Sequence, residues 1–287
     1  MQQNQDFPLV SVIISSYNHA KYIDASIQSV LDQTYPNIEL LVVDDGSKDE
    51  SVERIRALQR QHGFDFRVQK NQGLTRTLND MIARSQGALI APFGSDDIML
   101  PDRIARQVDY IKDKPEVGIC AGNVIEIDSD GKTYRDAKSR ALRRLDFEDV
   151  FLNRKPGAPA PTLLFRREAL DAVGFFDPDI RLEDLLIELK ITRAGYFIDV
   201  LPDVLVKYRV HEHNTYKNHR FMLGAVLSTY AQFADHPAYE QVCQRFRRAT
   251  LTKCASKDKQ LGRELLRQLP IAYWDLKVAR AAIRLLL

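Results

Sequence analysis

Several common functional devices are missing from this sequence. Only three of its 287 residues are cysteine. Cys120, Cys243 and Cys254 lack metal-site spacing and form no disulfide framework, which suits a reducing compartment. No stretch approaches the ~18 consecutive apolar residues of a membrane span. The opening MQQNQDFPLV has no basic segment, and the apolar run after it is too short for a secretory signal. A cytoplasmic location is therefore expected. A net charge of +2 offers no argument for a nucleic-acid partner. The turn after the first apolar run, SSYNHAKY, is neither of the glycine-rich phosphate loops, so a dinucleotide fold or a P-loop is disfavoured.

What is present is an ordinary globular composition, 45% hydrophobic and 28% charged, enough for a substantial core. The charge is unevenly distributed. From Arg245 onward 11 basic residues face 3 acidic ones, a net of +8 that leaves −6 for everything before it.

Buried-type strands alternate with helical periods through the first hundred residues. LVSVIISSYN reads as a strand, AKYIDASIQSVLDQTY as a helix ended by Pro36, and IELLVVDDGS as a second strand. A second helix follows, with Ser47 or Asp49 as N-cap and Gly63 as its stop. FRVQKNQG gives a short third strand, LTRTLNDMIARSQG a third helix and ALIAPFGSDD a fourth strand. This alternation predicts a mainly parallel sheet with helices on both faces, whose ligand crevice lies beyond the carboxyl ends of the strands. Three such ends are polar: Ser15–Asn18, Asp44–Ser47 and Ser95–Asp97. Adjacent Asp96 and Asp97 repel each other and need a positive neighbour, a basic side chain or a divalent cation. A cation is the expectation, because Mg²⁺ is held by one or two carboxylates plus substrate phosphates.

The blocks VSVIISSYNHAKYIDASIQSVLDQTYPNIELLVVDDGSKDES, NQGLTRTLNDMIARSQGALIAPFGSDD and PTLLFRREALDAVGFFDPDIRLEDLLIELKITRAGY resemble, in order, the inverting glycosyltransferases of family 2. The resemblance runs from about Pro8 to about Asn214. It implies a GT-A fold: a Rossmann-like, mixed, mainly parallel α/β sheet. The implied catalytic domain is 1–215, with a nucleotide-sugar half at 1–100 and an acceptor half at 101–215. A helical extension is expected over 216–287.

The resemblance also assigns roles. Ser15 and Tyr17 line the nucleotide pocket, and Asp45, supported by Asp44, accepts from the uracil imide. The competing reading of Asp44 and Asp45 is that they cap the next helix. Arg76 and Asn79 reach the donor, and Asp96 lies near the ribose. Asp97 holds Mn²⁺ or Mg²⁺ with His211 as a second ligand; Ser95 stands where many relatives carry Asp. His213 is a weaker candidate. Asp184 is the general base and Glu183 orients the acceptor; otherwise the pair is only an acidic helix start. The implied donor is a nucleotide-sugar, a UDP-sugar first. The acceptor is a glycan or a polyprenyl-diphosphate-linked sugar of bacterial surface polysaccharide such as O-antigen. Nucleotidyl transfer and a catalytically silent scaffold have similar needs and stand as rivals.

Two segments lie apart. PGAPAP (156–161) is a loop, and DSDGKTYRDAKSRALRRLD is a polar excursion that is a candidate mobile loop. In the tail, Lys277, Arg280 and Arg284 share a narrow arc, while Ile271, Trp274, Val278, Ile283 and Leu285 spread over the remainder. This pattern suits peripheral membrane contact through 261–287 on the cytoplasmic face of the inner membrane. Packing within the protein or a dimer is the alternative; the oligomeric state is left open.

Overall fold

The computed structural model describes residues 7–137, 140–212 and 214–286. Its elements are, in order, β1 (Val10–Ser16), α1 (Ile23–Leu31), β2 (Ile38–Asp44), α2 (Ser51–His62), β3 (Asp65–Val68), α3 (Leu74–Arg84), β4 (Leu89–Gly94), β5 (Ile98–Met99) and α4 (Arg103–Ile111). Then come β6 (Val117–Ile127), β7 (Thr133–Arg135), β8 (Arg143–Leu145), α5 (Phe147–Phe151), β9 (Leu164–Arg166), α6 (Arg167–Val173), α7 (Glu183–Arg193) and β10 (Phe197–Arg209). Four helices end the chain: α8 (His219–Ala231), α9 (Tyr239–Cys254), α10 (Lys259–Gln268) and α11 (Leu276–Leu286).

The sheet runs β3-β2-β1-β4-β9-β6-β10-β5, with β7 on β6 and β8 on β10. The β3-β2-β1-β4 half is parallel, as is the β6–β10 pair, whereas β9 runs antiparallel to both β4 and β6. The strands are apolar on both faces because both faces are covered. Val10, Val12 and Ile14 of β1 pack with Ile23 and Ile27 of α1 and Ile104 and Val108 of α4. Ile13, one residue out of phase, packs on the other side with Leu78, Met81 and Ile82 of α3 and Ile187 and Ile191 of α7.

The expected α2 stop holds: Gly63 sits in the left-handed region at φ 78°, and its N–H donates to Gln59 O. The start differs. The N-cap is Glu50 without a side-chain bond, while Asp49 Oδ1 accepts from Ser51 N at 3.1 Å and Oδ2 from Ala20 N at 2.9 Å. Asp49 therefore ties the turn after β1 to the helix. The polar excursion is not structureless, since β7 and β8 both lie in it. Lys138 and Ser139, also in it, fall outside the described residues.

The chain divides into two compact units. One takes residues up to Asp179 together with Leu186–His211; the other takes Ile180–Leu185 and everything from Glu212. The division thus falls just before the expected boundary at 215. It also assigns the first turn of α7 to the helical unit, which a boundary drawn along the sequence does not anticipate.

Candidate active site

Strand register brings the polar ends together. Ser16 lies opposite Asp44 and Ser15 opposite Gly94 in the parallel pairs that flank β1. The carboxyl ends of β1, β2 and β4 therefore form one edge, as the alternation of strands and helices predicts. Ser15 is half-buried there and the Tyr17 ring is exposed.

On the β2 side the two aspartates hold turns. Asp44 accepts from Ser47, through its N–H at 2.9 Å and its hydroxyl at 2.6 Å. Asp45 is 2% exposed. It accepts from Gln69 Nε2 at 2.8 Å, Gln72 N at 3.0 Å and Gly73 N at 2.9 Å. Three donors on one carboxylate clamp the 69–73 loop onto the strand end. Neither residue caps α2, so that competing reading fails. Gly46 permits the close approach: a Cβ there would meet the Asn71 backbone N at 2.9 Å, and its φ is +84°.

The β4 side carries the unusual electrostatics. Asp97 is 2% exposed and turned inward, with Oδ1 accepting from Arg209 N at 2.8 Å. Burial first, and the Asp96 charge second, push Asp97 well above the usual carboxylate range. The Arg209 N–H and the charges of Arg209 and Arg103 act in the opposite direction. Arg103 is fully buried, and desolvation pulls its guanidinium down to about 9. A basic partner for the aspartate pair therefore does exist within the protein. The expectation that a cation alone answers the repulsion is corrected.

Arg209, at the end of β10, also donates from Nε to Asp96 O at 2.7 Å and from a terminal nitrogen to Asp128 O at 2.9 Å. Its guanidinium lies 4.7 Å from the Tyr22 ring centroid, and the His211 ring stacks on Tyr22 with centroids 5.6 Å apart.

Asp96 faces the imidazoles. His211 Nε2 lies 2.9 Å from Asp96 Oδ2, and His19 Nδ1 lies 2.7 Å from Ser95 Oγ. His19, Asp96 and His211 each present a ligand atom, all within 4.8 Å of one another. Gly94 adds room, because a Cβ built there would lie 2.9 Å from both Asp96 Oδ1 and Asp97 Oδ2. The donor set and this cradle fit a divalent cation. The carboxylate in this group is Asp96, whereas Asp97, the carboxylate expected from the sequence to hold the ion, is buried and bonded to Arg209 N. His19, Tyr22 and Arg209 escaped sequence reasoning. A histidine just past a strand end and an arginine closing a long strand were the available signals.

Asn79 commits both ends of its amide to one backbone unit, donating to Phe176 O at 2.8 Å and accepting from Phe176 N at 3.2 Å. It joins α3 to the segment after α6, in place of the donor contact expected of it. Arg76 is exposed on α3. His213 lies outside the described residues. Glu183 and Asp184 open α7 and belong to the helical unit. Burial, then the Asp184 charge, pushes Glu183 up to about 7. Burial also raises Asp184, opposed by the Leu185 N–H on its Oδ1 at 2.8 Å.

A doubly covered, mainly parallel sheet with carboxylates and imidazoles gathered beyond its strand ends defines the class, an α/β fold of the GT-A type. The sequence model for glycosyl transferase family 2 matches residues 11–174. The chain belongs to that family and carries its glycosyltransferase domain. It is 32% identical over 222 residues to an uncharacterized glycosyltransferase of Nostoc sp., covering 72% of this chain and 66% of that one. It is 29% identical over 209 residues to the amylovoran biosynthesis glycosyltransferase AmsE of Erwinia amylovora, covering 70% of this chain and 76% of that one. Among solved structures, S. aureus TarS 1-349 in complex with UDP-GlcNAc matches with TM-score 0.68 and 16% identity, over 91% of this chain and 82% of that one. The mannosyltransferase PcManGT of Pyrobaculum calidifontis, in complex with GDP-Man and Mn²⁺, matches with TM-score 0.64 and 18% identity, over 97% of this chain and 84% of that one. Both structures share the fold. No helix among the described residues is long and apolar enough to cross a membrane.

Proposed function

We propose that this chain is a metal-dependent inverting glycosyltransferase. In this reading it moves a sugar from a nucleotide-sugar, a UDP-sugar first, to a hydroxyl of a glycan or polyprenyl-diphosphate-linked acceptor. The product feeds bacterial surface polysaccharide at the cytoplasmic face of the inner membrane. The observation that carries the reading is the convergence of His19, Asp96 and His211 on one point at the edge where β1, β2 and β4 end. The amylovoran enzyme among the relatives supports the polysaccharide, and TarS with UDP-GlcNAc supports the donor.

His19, Asp96 and His211 would hold the cation, with Asp97 as the buried charge behind them. Two imidazoles and one carboxylate favour Mn²⁺ over Mg²⁺, which takes oxygen ligands. The bound ion would supply positive charge against the diphosphate that leaves. Ser15, Tyr17, Asp44 and Asp45 contribute the nucleotide side of the pocket, Asp45 chiefly by fixing the 69–73 loop. Asp184 takes the proton from the acceptor hydroxyl as that oxygen attacks the anomeric carbon, and the bond to the nucleoside diphosphate breaks in the same displacement. Glu183, holding its proton up to about pH 7, is suited to donate a hydrogen bond that orients the acceptor.

The test is a panel of nucleotide-sugars assayed for hydrolysis and transfer with Mn²⁺ and with Mg²⁺. Asp184→Asn should bind donor normally and lose transfer; full transfer by that variant removes the base assignment. Pyrophosphate release from a sugar phosphate and a nucleoside triphosphate would instead make the chain a nucleotidyltransferase. Donor binding with neither reaction would make it a silent scaffold.

A further inference from the structure

The helical unit has its own core, in which α11 contributes Val278, Ala281 and Leu285. The contact is close: a Cβ on Gly262 of α10 would lie 2.7 Å from Leu285 Cδ2. Val278 and Leu285 are therefore core residues, not part of a free apolar face, which corrects the broad apolar sector read from the sequence. Packing fixes the rotation of α11 and with it what the helix shows to solvent.

Its outward side is divided lengthwise. At 100° per residue, Leu276, Ala279, Ile283 and Leu286 form one exposed sector, and Lys277, Arg280 and Arg284 the adjoining one. The exposure is large: Leu276 78%, Ile283 57% and Leu286 88%. The turn before the helix extends the apolar sector, with Ile271 83% and Trp274 44% exposed. Trp274 Nε1 donates to Leu269 O at 3.2 Å, so the exposed part of its indole has no N–H left to satisfy. Asp275, the only acid between Leu265 and Leu286, is already engaged. It accepts from Val278 N at 2.9 Å and lies 3.5 Å from Arg248. Among the described residues Lys277, Arg280 and Arg284 form no salt bridge, and the nearest acid to Lys277, Asp275, is shared with Arg248.

We propose that this face docks on a bilayer containing anionic lipid. In that arrangement Ile271, Trp274, Leu276, Ile283 and Leu286 enter the headgroup–acyl boundary while Lys277, Arg280 and Arg284 meet phosphate headgroups. A helix whose apolar and cationic sectors adjoin lies in the interface plane, wetting one and charging the other. Charge decides against a second copy of the chain as the occupant, because a two-fold contact across this face would bring the same three cations together.

The chain holds one tryptophan, so emission excited at the red edge, past tyrosine absorption, reports on this face alone. The 287-residue chain is mixed with phosphatidylcholine vesicles made with and without phosphatidylglycerol, and followed by co-sedimentation and Trp274 emission. Binding with a blue shift is expected only on the anionic vesicles, weakening as salt rises. Lys277→Gln/Arg280→Gln/Arg284→Gln should weaken binding by about a hundredfold. Leu276→Glu/Ile283→Glu, at exposed positions that leave the core intact, should abolish it with circular dichroism unchanged. Wild-type protein left in the supernatant with anionic vesicles at low salt overturns the proposal, as does undiminished binding by the Glu variant. A blue shift that grows with protein concentration without vesicles would assign the face to self-association.

Discussion

The backbone N–H of Arg209 donates to Asp97 Oδ1 at 2.8 Å, and the Arg209 guanidinium returns to Asp96 O at 2.7 Å. One residue at the end of β10 thus fixes both members of the aspartate pair at the end of β4, more than 110 residues earlier in the chain. Arg209→Ala removes the charge that faces buried Asp97 and also the donor to Asp128 O. A loss of about 3 kcal/mol in denaturant unfolding is expected. Arg209→Lys should recover only part, because an ammonium cannot span both carbonyls as the guanidinium fork does. A stability equal to wild type for the alanine variant would show that the latch contributes nothing.

Gly94→Ala tests the cradle between the carboxylates. Its backbone angle suits alanine, yet the added Cβ falls 2.9 Å from oxygens of Asp96 and Asp97. Mn²⁺ affinity by calorimetry should drop tenfold or more, with a smaller effect on melting temperature. Unchanged affinity would place the cation elsewhere.

His19→Ala and His211→Ala should each weaken Mn²⁺ by about 10–100-fold. Mn²⁺ electron paramagnetic resonance separates this from a folding effect. If only His211 matters, His19 serves Ser95 through its 2.7 Å contact and not the ion.

Glu183 makes a pH prediction whose sign follows from its raised pKa. The folded state keeps the proton up to about 7, whereas the ordinary value is 4.5. Folding stability is therefore fully present below about pH 4.5 and is lost as pH rises through about 7. The loss is on the order of 3 kcal/mol at 1.36 kcal/mol per unit. Glu183→Gln should flatten that slope in urea titrations at fixed pH. Transfer should show the opposite limb, rising with pH as the Glu183–Asp184 pair gives up its first proton. A slope retained in Glu183→Gln would point to another group.

Asn79→Ala should cost about 1–2 kcal/mol, because it strands the N–H and C=O of Phe176. The Michaelis constant for donor should stay unchanged. A large rise in it would restore the donor contact expected from the sequence.

Much of the fold was legible because the strands are buried on both sides and bounded by glycine, proline and acids. β1 and the Gly63 stop fall where those signals place them, while α3 ends at Arg84 with Ser85 extended, short of Gly87. β7 and β8 were hidden: three residues among charged side chains carry no period, and their pairing partners are distant in sequence. The tail helices were visible by period, but not which side of α11 the bundle covers. Gly262 against Leu285 settles that side, and no single-helix pattern contains it.

The sequence by itself determined the alternating α/β order, the three polar strand ends and the acidic pairs at 44–45, 96–97 and 183–184. These depend on local composition and short-range period. Only the tertiary structure decided that Asp97 is buried against Arg209 while Asp96 faces two histidines. Adjacent residues point in different directions, and their partners come from β10 and from the turn after β1. The physical reason is that a carboxylate's chemistry is set by what surrounds it, and those neighbours are assembled by strand register across the whole sheet.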